Sequence, residues 1–180
     1  MKSKKKEKIP GYKKTILIAA MIMIAVSASY ISLKDLLLPK LASVPEMSTE
    51  GYTEVAIDIN VTEDRGIVSL SGNCYEILAT VDKAQAISIE KGIMGVIEQR
   101  PNTHDLIKDM LKSLDVKMLM MKINDLRNGT YFSKIILQKG NLILSLDSRP
   151  SDALAIAART EYEVPIYIKN ELLEAGFKIC

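Results

Sequence analysis

The sequence predicts an α+β fold, a single compact domain of two largely antiparallel three-stranded units with short helices. Three observations carry this. Strand-like stretches come in two runs of three, within 52–81 and 116–147, separated by turn-forming residues such as Asn128-Gly129 and Lys139-Gly140-Asn141. Helix-like stretches follow each run instead of separating every pair of strands, which argues against a regular parallel βαβ alternation. The 180 residues, 48% hydrophobic and 26% charged, also have the composition of a globular chain and not of a disordered or fibrous one.

The first fifty residues are of a different kind. Residues 1–14 carry seven lysines against one acid, Glu7, a net +6. Residues 15–180 carry 17 basic and 21 acidic side chains, a net −4, so the overall +2 averages two opposite parts. Nineteen uncharged residues lie between Lys14 and Lys34, enough for a helix to cross a hydrocarbon core of ~30 Å. We therefore expect a basic cytoplasmic tail (1–14), a transmembrane anchor (15–33) and a linker (34–50) holding Pro39 and Pro45. The folded domain (51–180) then lies on the outer side of the cell membrane. A cleaved signal peptide ending near Val26-Ser27-Ala28 is the competing reading, disfavoured because the apolar run continues through Tyr30 and Ile31. Both readings export the domain. Lys34 and Lys40 compete with the tail in setting orientation.

Within the domain, Val55, Ile57, Ile59 and Val61 alternate with Glu54, Ala56, Asp58 and Asn60, the period-two pattern of one half-buried strand from Tyr52 to Val61. After the turn Thr62–Gly66 come strands at Ile67–Leu70 and Tyr75–Val81. Asp82 with Gln85 reads as a capping box opening a helix to about Glu90. A second helix carries Leu106, Ile107, Met110, Leu111 and Leu114 at helical spacing, with Thr103 as its N-cap. Strands at about Val116–Leu126, Thr130–Gln138 and Leu142–Asp147 follow. Ser151 caps a third helix, Ala153–Arg159. A short strand at Pro165–Ile168 leads to a last helix, Glu171–Ala175, capped by Asn170 and stopped by Gly176.

Several chemistries are excluded. Two cysteines, Cys74 and Cys180, make no disulfide framework and no CxxC or Cys/His zinc pattern, and the terminal Cys180 is expected to be mobile. One histidine, His104, rules out multi-histidine metal sites. No GxGxxG, P-loop, HExxH or GxSxG occurs. Seven tyrosines, two phenylalanines and no tryptophan leave few stacking platforms for single-stranded nucleic acid, and the acidic domain lacks the net basic character of a duplex binder. Met118, Met120 and Met121 read as core packing.

Two junctions share a plan. Arg100-Pro101-Asn102-Thr103-His104-Asp105 and Arg149-Pro150-Ser151-Asp152 each run Arg-Pro, then a hydroxyl residue, then an acid in the first helical turn. At these positions the sequence resembles the bifunctional nuclease domain family. The resemblance rests on Lys83–Gly92 (KAQAISIEKG), Arg100–Leu111 (RPNTHDLIKDML), Ile123–Leu137 (INDLRNGTYFSKIIL), Leu146–Arg159 (LDSRPSDALAIAAR) and Val164–Ile168 (VPIYI), and spans nearly all of 51–180. It implies an α+β fold and, by the family's name, cleavage of RNA and DNA. This chain departs from the family's usual motifs at Asn128, where an aspartate is commoner, and at Ser148. The first change removes one candidate metal ligand.

A nuclease needs either carboxylates that hold Mg²⁺ or Mn²⁺, or a base, an acid and a cation around the phosphate. The expected catalytic set is His104, Asp105, Asp147 and Asp152. Asp105, Asp147 and Asp152 are the candidate metal ligands, His104 a general base, and Arg100 and Arg149 the substrate-phosphate ligands. Each has a structural counter-reading: the acids as helix-dipole or strand-end residues, the arginines as their partners, and the histidine as a loop brace. The resulting expectation is a membrane-anchored, metal-dependent nuclease with RNA or DNA and the membrane as partners, self-association being left open. The alternative is a non-catalytic exported module that binds a protein or small ligand between the two three-stranded units.

Overall fold

The computed structural model describes residues 45–180, together with Met21 and Met23, both helical and exposed. The basic tail expected at 1–14, the rest of the anchor at 15–33 and the linker as far as residue 44 lie outside the described residues. Among the described residues, no helix is long and apolar enough to cross a membrane.

Where the alternation from Tyr52 to Val61 predicts one strand, the chain makes two, β1 (Tyr52–Glu54) and β2 (Ala56–Val61). Val55, buried between them, donates its amide to the Ile166 carbonyl at 2.9 Å, and the strands on its two sides join different sheets. Period-two patterning survives the crossing because it records which face a side chain occupies, not which strand its backbone pairs with. The remaining strands are β3 (Arg65–Gly72), β4 (Tyr75–Asp82), β5 (Lys117–Arg127), β6 (Thr130–Lys139), β7 (Leu142–Ser148), β8 (Ile166–Lys169) and β9 (Phe177–Lys178). Their order is β2-β3-β4-β9 in one sheet and β1-β8-β5-β6-β7 in the other. Both expected meanders are present, each widened at an edge. Pairing is antiparallel except between β5 and β8.

Four α-helices complete the fold among the described residues 45–180: α1 (Lys83–Ile93), α2 (Thr103–Ser113), α3 (Pro150–Ala157) and α4 (Asn170–Glu174). Ser151 and every residue of α3 from Ala153 to Ala157 are buried, as befits a helix with no polar face. Its residues join one core with Val68, Leu70 and Ile77 of the four-stranded sheet, Met121, Ile123, Ile135 and Leu137 of the five-stranded sheet, and Ile89 of α1. Close approach of α1 depends on Gly92. A Cβ there would stand 2.9 Å from the Ala158 Cβ and 2.8 Å from the Arg159 Nη1.

The helix starts differ in detail from the sequence reading. Asn102, not Thr103, caps α2, and its side chain accepts from the amides of His104 and Asp105. Arg149 occupies the N-cap of α3 with Pro150 in the first turn, so Ser151 is already helical. Asp82 caps α1 in extended geometry without a side-chain bond. Asn170 is the first residue of α4, because its side-chain oxygen is taken by the Thr53 hydroxyl of β1 at 2.9 Å.

Turn chemistry follows expectation at Asn128-Gly129, where both φ angles are positive, 50° and 76°. The β3–β4 turn repeats the geometry at Asn73 (47°) and Cys74 (68°), with a cysteine where glycine would be the unstrained choice. That cysteine forms a disulfide with Cys180, their Cα atoms 5.1 Å apart. The terminus is therefore tied down, not mobile: β9 pairs with β4, and Ile179 donates to the Cys74 carbonyl at 2.9 Å. A bond closing a sequence separation of 106 residues restricts the unfolded chain enough to contribute about 2–5 kcal/mol. At the other end, Lys122 of β5 is buried and donates to the carbonyls of Glu46 and Ser48 while facing the Tyr52 ring. Residues 46–52 are thereby fastened to the sheet.

Candidate active site

The two Arg-Pro junctions become the first turns of α2 and α3, and both acids take the third helical position. Asp105 stands there in α2, completing a capping box by accepting from the Asn102 amide at 2.9 Å. Asp152 holds the matching place in α3. The shared plan ends at the arginines. Arg149, at the N-cap, reaches its own acid with a two-pronged contact, Nε to Oδ2 at 2.7 Å and Nη2 to Oδ1 at 3.0 Å. Arg100 lies two residues before its N-cap, exposed, and forms no ion pair with a described residue. The partner of Asp105 is instead Arg159, which follows the end of α3.

Arg159 organises the region. Its side chain is 6% exposed and donates from Nε to Asp105 Oδ1 at 2.5 Å, and from Nη1 to the Ser88 and Ala155 carbonyls, both at 2.7 Å. Nη2 donates to the Ser88 hydroxyl at 3.2 Å. One guanidinium thus joins α1, α2 and the C-terminal end of α3. Burial by itself would raise the Asp105 carboxyl, but the Asn102 amide and the Arg159 guanidinium outweigh it and hold the group below its usual range.

His104 sits in the second position of α2, between two helices. Its Nδ1 is 2.9 Å from the Ser88 hydroxyl of α1, and its Nε2 is 3.4 Å from Asp152 Oδ1 of α3. The His104 side chain is 17% exposed and that of Asp152 28%, so both reach solvent. At Asp152 burial again works upward. The hydrogen bond and charge of Arg149, followed by those of His104, prevail and keep the carboxylate ionised. Arg149 is largely exposed, and one face of its fork is free to meet a ligand anion.

Of the six residues expected to act, His104, Asp152 and Arg149 come together, and Asp105 braces them through Arg159. Asp147 is exposed on β7 opposite Lys134 of β6, and Arg100 stands in the loop before α2. Among the described residues, no three His, Cys, Asp or Glu side chains gather where a metal ion could sit. Asp105 has both oxygens engaged and Asp152 is clasped by Arg149, so the donor set does not fit a resident Mg²⁺ or Mn²⁺. Two residues of the site carried no sequence signal. Ser88 lies within a helix, where serine is unremarkable, and Arg159 is separated by 54 residues from the acid it binds.

The chain belongs to the bifunctional nuclease domain family, whose profile matches residues 71–178. Every residue of the site falls within that match. An uncharacterized protein of Mycobacterium tuberculosis (strain H37Rv) is 38% identical over 98 residues, 54% of this chain and 56% of that protein. Bifunctional nuclease 1 of Oryza sativa subsp. japonica is 32% identical over 76 residues, 41% of this chain and 22% of that protein. The chain thus spans about half the length of the mycobacterial relative and less than a quarter of the rice one.

The buried ion pair has a pH signature. Because the folded-state pKa of Asp105 is depressed, its contribution is complete above the unfolded value of about 3.9 and is lost as pH falls through the lower folded value. Asp105→Ala leaves the Arg159 charge buried without its carboxylate, and should cost about 3–5 kcal/mol at pH 7. Denaturant unfolding at pH 7 and pH 3 checks this. The gap between wild type and variant should shrink at the lower pH, and a constant gap would show that the charge of Asp105 is immaterial.

Proposed function

We propose that the domain hydrolyses phosphodiester bonds of RNA or DNA at the surface where α2 and α3 begin. The observation that carries this reading is the His104 imidazole held between Ser88 and Asp152, with the exposed Arg149 fork alongside. Arg149 is suited to the two free oxygens of a phosphodiester, which can displace Asp152 from its outward edge. Asp152 holds Arg149 and His104 in register until a substrate arrives. Nδ1 of His104 is occupied within the protein, so Nε2 is the ring atom that faces the substrate. Family membership supports the reading, as does the name of the rice relative, bifunctional nuclease 1. No step is assigned to a metal ion.

The test uses the full chain in detergent on labelled single- and double-stranded RNA and DNA, with Mg²⁺, Mn²⁺ or EDTA. Cleavage should persist in EDTA and fall about 10²–10³-fold in His104→Ala and in Arg149→Met, each of which removes a donor to the phosphate, with melting temperatures close to wild type. No cleavage of any substrate, or cleavage indifferent to both substitutions, would overturn the proposal.

One observation favours a second reading, an exported binding module. A cavity of about 600 Å³ opens where β1 passes into β2, lined by Glu54, Ile57, Ile89, Glu163 and Val164 among others. It contains none of the catalytic candidates, so ligand binding there would be independent of cleavage.

We further propose that the domain is exported and held by residues 15–33, with the N-terminus cytoplasmic. Support comes from the Cys74–Cys180 disulfide, since such bonds persist in oxidising compartments and are rare in the cytosol. Alkylation of protein taken directly from cells tests it. Both cysteines should resist the reagent until reduced, whereas two reactive thiols in the native protein would place the domain in the cytosol.

A further inference from the structure

We propose that Ser88 and Arg159 fix the tautomer of His104, making the neutral ring an Nε2–H donor toward the substrate instead of a base. The role in cleavage rests on the function proposed above, whereas the tautomer itself does not.

Arg159, Ser88, His104 and Asp152 form one chain of donors and acceptors. A guanidinium can only donate, so the 3.2 Å contact from Arg159 Nη2 fills an acceptor site on the Ser88 hydroxyl oxygen. The same arginine is anchored on the Ser88 carbonyl and on Asp105, and so cannot turn away. The single hydroxyl proton of Ser88 then has His104 Nδ1 as its partner at 2.9 Å. A serine inside a helix commonly bonds back to its own helix, but here the hydroxyl bonds across to α2. With Nδ1 accepting, the ring proton resides on Nε2 and points at the ionised Asp152 carboxylate 3.4 Å away. The opposite tautomer fails at the carboxylate, where it would present the Nε2 lone pair to an ionised oxygen; at Ser88 it would fill both lone pairs of the hydroxyl, from Arg159 and His104, and take away the acceptor that Nδ1 provides for the hydroxyl proton.

The consequence is directional. A neutral ring whose Nδ1 is engaged inside the protein offers the outside an N–H and no lone pair. When a phosphate oxygen takes the place of Asp152, His104 gives it a hydrogen bond from a preset direction, beside the guanidinium of Arg149. Ser88 is itself 9% exposed and packed under α2, so it acts through His104 as a positioning residue and does not meet the phosphate.

Because His104 is the sole histidine of the chain, one imidazole dominates a histidine-selective ¹⁵N spectrum of the untagged protein. Two-bond ¹H–¹⁵N correlation on the full chain in detergent, at a pH where the ring is neutral, should show the Nε2–H form in wild type. Ser88→Ala, which keeps the backbone carbonyl that Arg159 needs, should give averaged ring signals of mixed tautomers. Ser88→Thr, which restores a hydroxyl, should recover the wild-type pattern. In the cleavage assay Ser88→Ala should lower kcat while leaving KM unchanged, and Ser88→Thr should restore kcat. An Nδ1–H ring in wild type, or a Ser88→Ala spectrum identical to wild type, overturns the inference even if the protein cleaves nucleic acid. The expected tautomer in a protein that cleaves nothing upholds the tautomer assignment and overturns the donor role together with the proposed function.

Discussion

A single buried guanidinium sets the arrangement on which the candidate site depends. Arg159 emerges from the end of α3 against α1 and α2 with its side chain 6% exposed, and donors so far removed from water need protein acceptors. It finds them in the carboxylate of Asp105, the carbonyls of Ser88 and Ala155, and the hydroxyl of Ser88. These acceptors belong to three helices, so satisfying one side chain fixes all three relative to one another. Replacing such a pair by apolar residues need not weaken a protein, but removing one partner leaves an uncompensated charge. The cluster therefore specifies position more than it adds stability, and what it positions is His104.

The sheets supply the platform. β1 and β2 are one continuous run of sequence that crosses from one sheet to the other at Val55, and β9 closes the four-stranded sheet from the far end of the chain. Together with the Cys74–Cys180 bond, these links connect the domain's beginning, middle and end. Helix α3, buried from Ala153 to Ala157, lies within this frame, and its start reaches solvent through the exposed Arg149 and the half-buried Pro150 and Asp152. The site is thus built on the end of the most deeply buried of the described helices, which suits a constellation that must hold its geometry before a ligand arrives.

Period-two alternation and turn residues made the strands legible, because burial of one face and the need for positive φ are local demands that local residues answer. Asn128-Gly129 is the plainest case. Helix starts were legible only in part. Asn102 and Thr103 are both good caps, and the choice between them turns on backbone geometry that neither residue reveals. The split at Val55 was invisible for a different reason: both halves keep the same inside–outside rhythm, and only the pairing partner changes. Within the site, the Arg-Pro junctions exposed His104, Asp152 and Arg149, while the apparent symmetry of the two junctions suggested that Arg100 should serve Asp105. Arg159 took that place through a contact between distant parts of the chain. Ser88 and Cys74 illustrate the same limit, since each is ordinary in sequence and acquires its part only from a residue brought to it by folding.

Arg159 orders the start of α2 through Asp105 and, with it, His104. Amide hydrogen exchange on the full chain, comparing wild type with Arg159→Met, tests this most directly. In the variant, the amides of Asp105 and Leu106, which close the first turn of α2 onto Asn102, should exchange at least roughly tenfold faster, while the paired amides of β5 and β6 keep their protection. Unchanged exchange at Asp105 and Leu106, or an equal loss across the strands and the helix, would contradict the account.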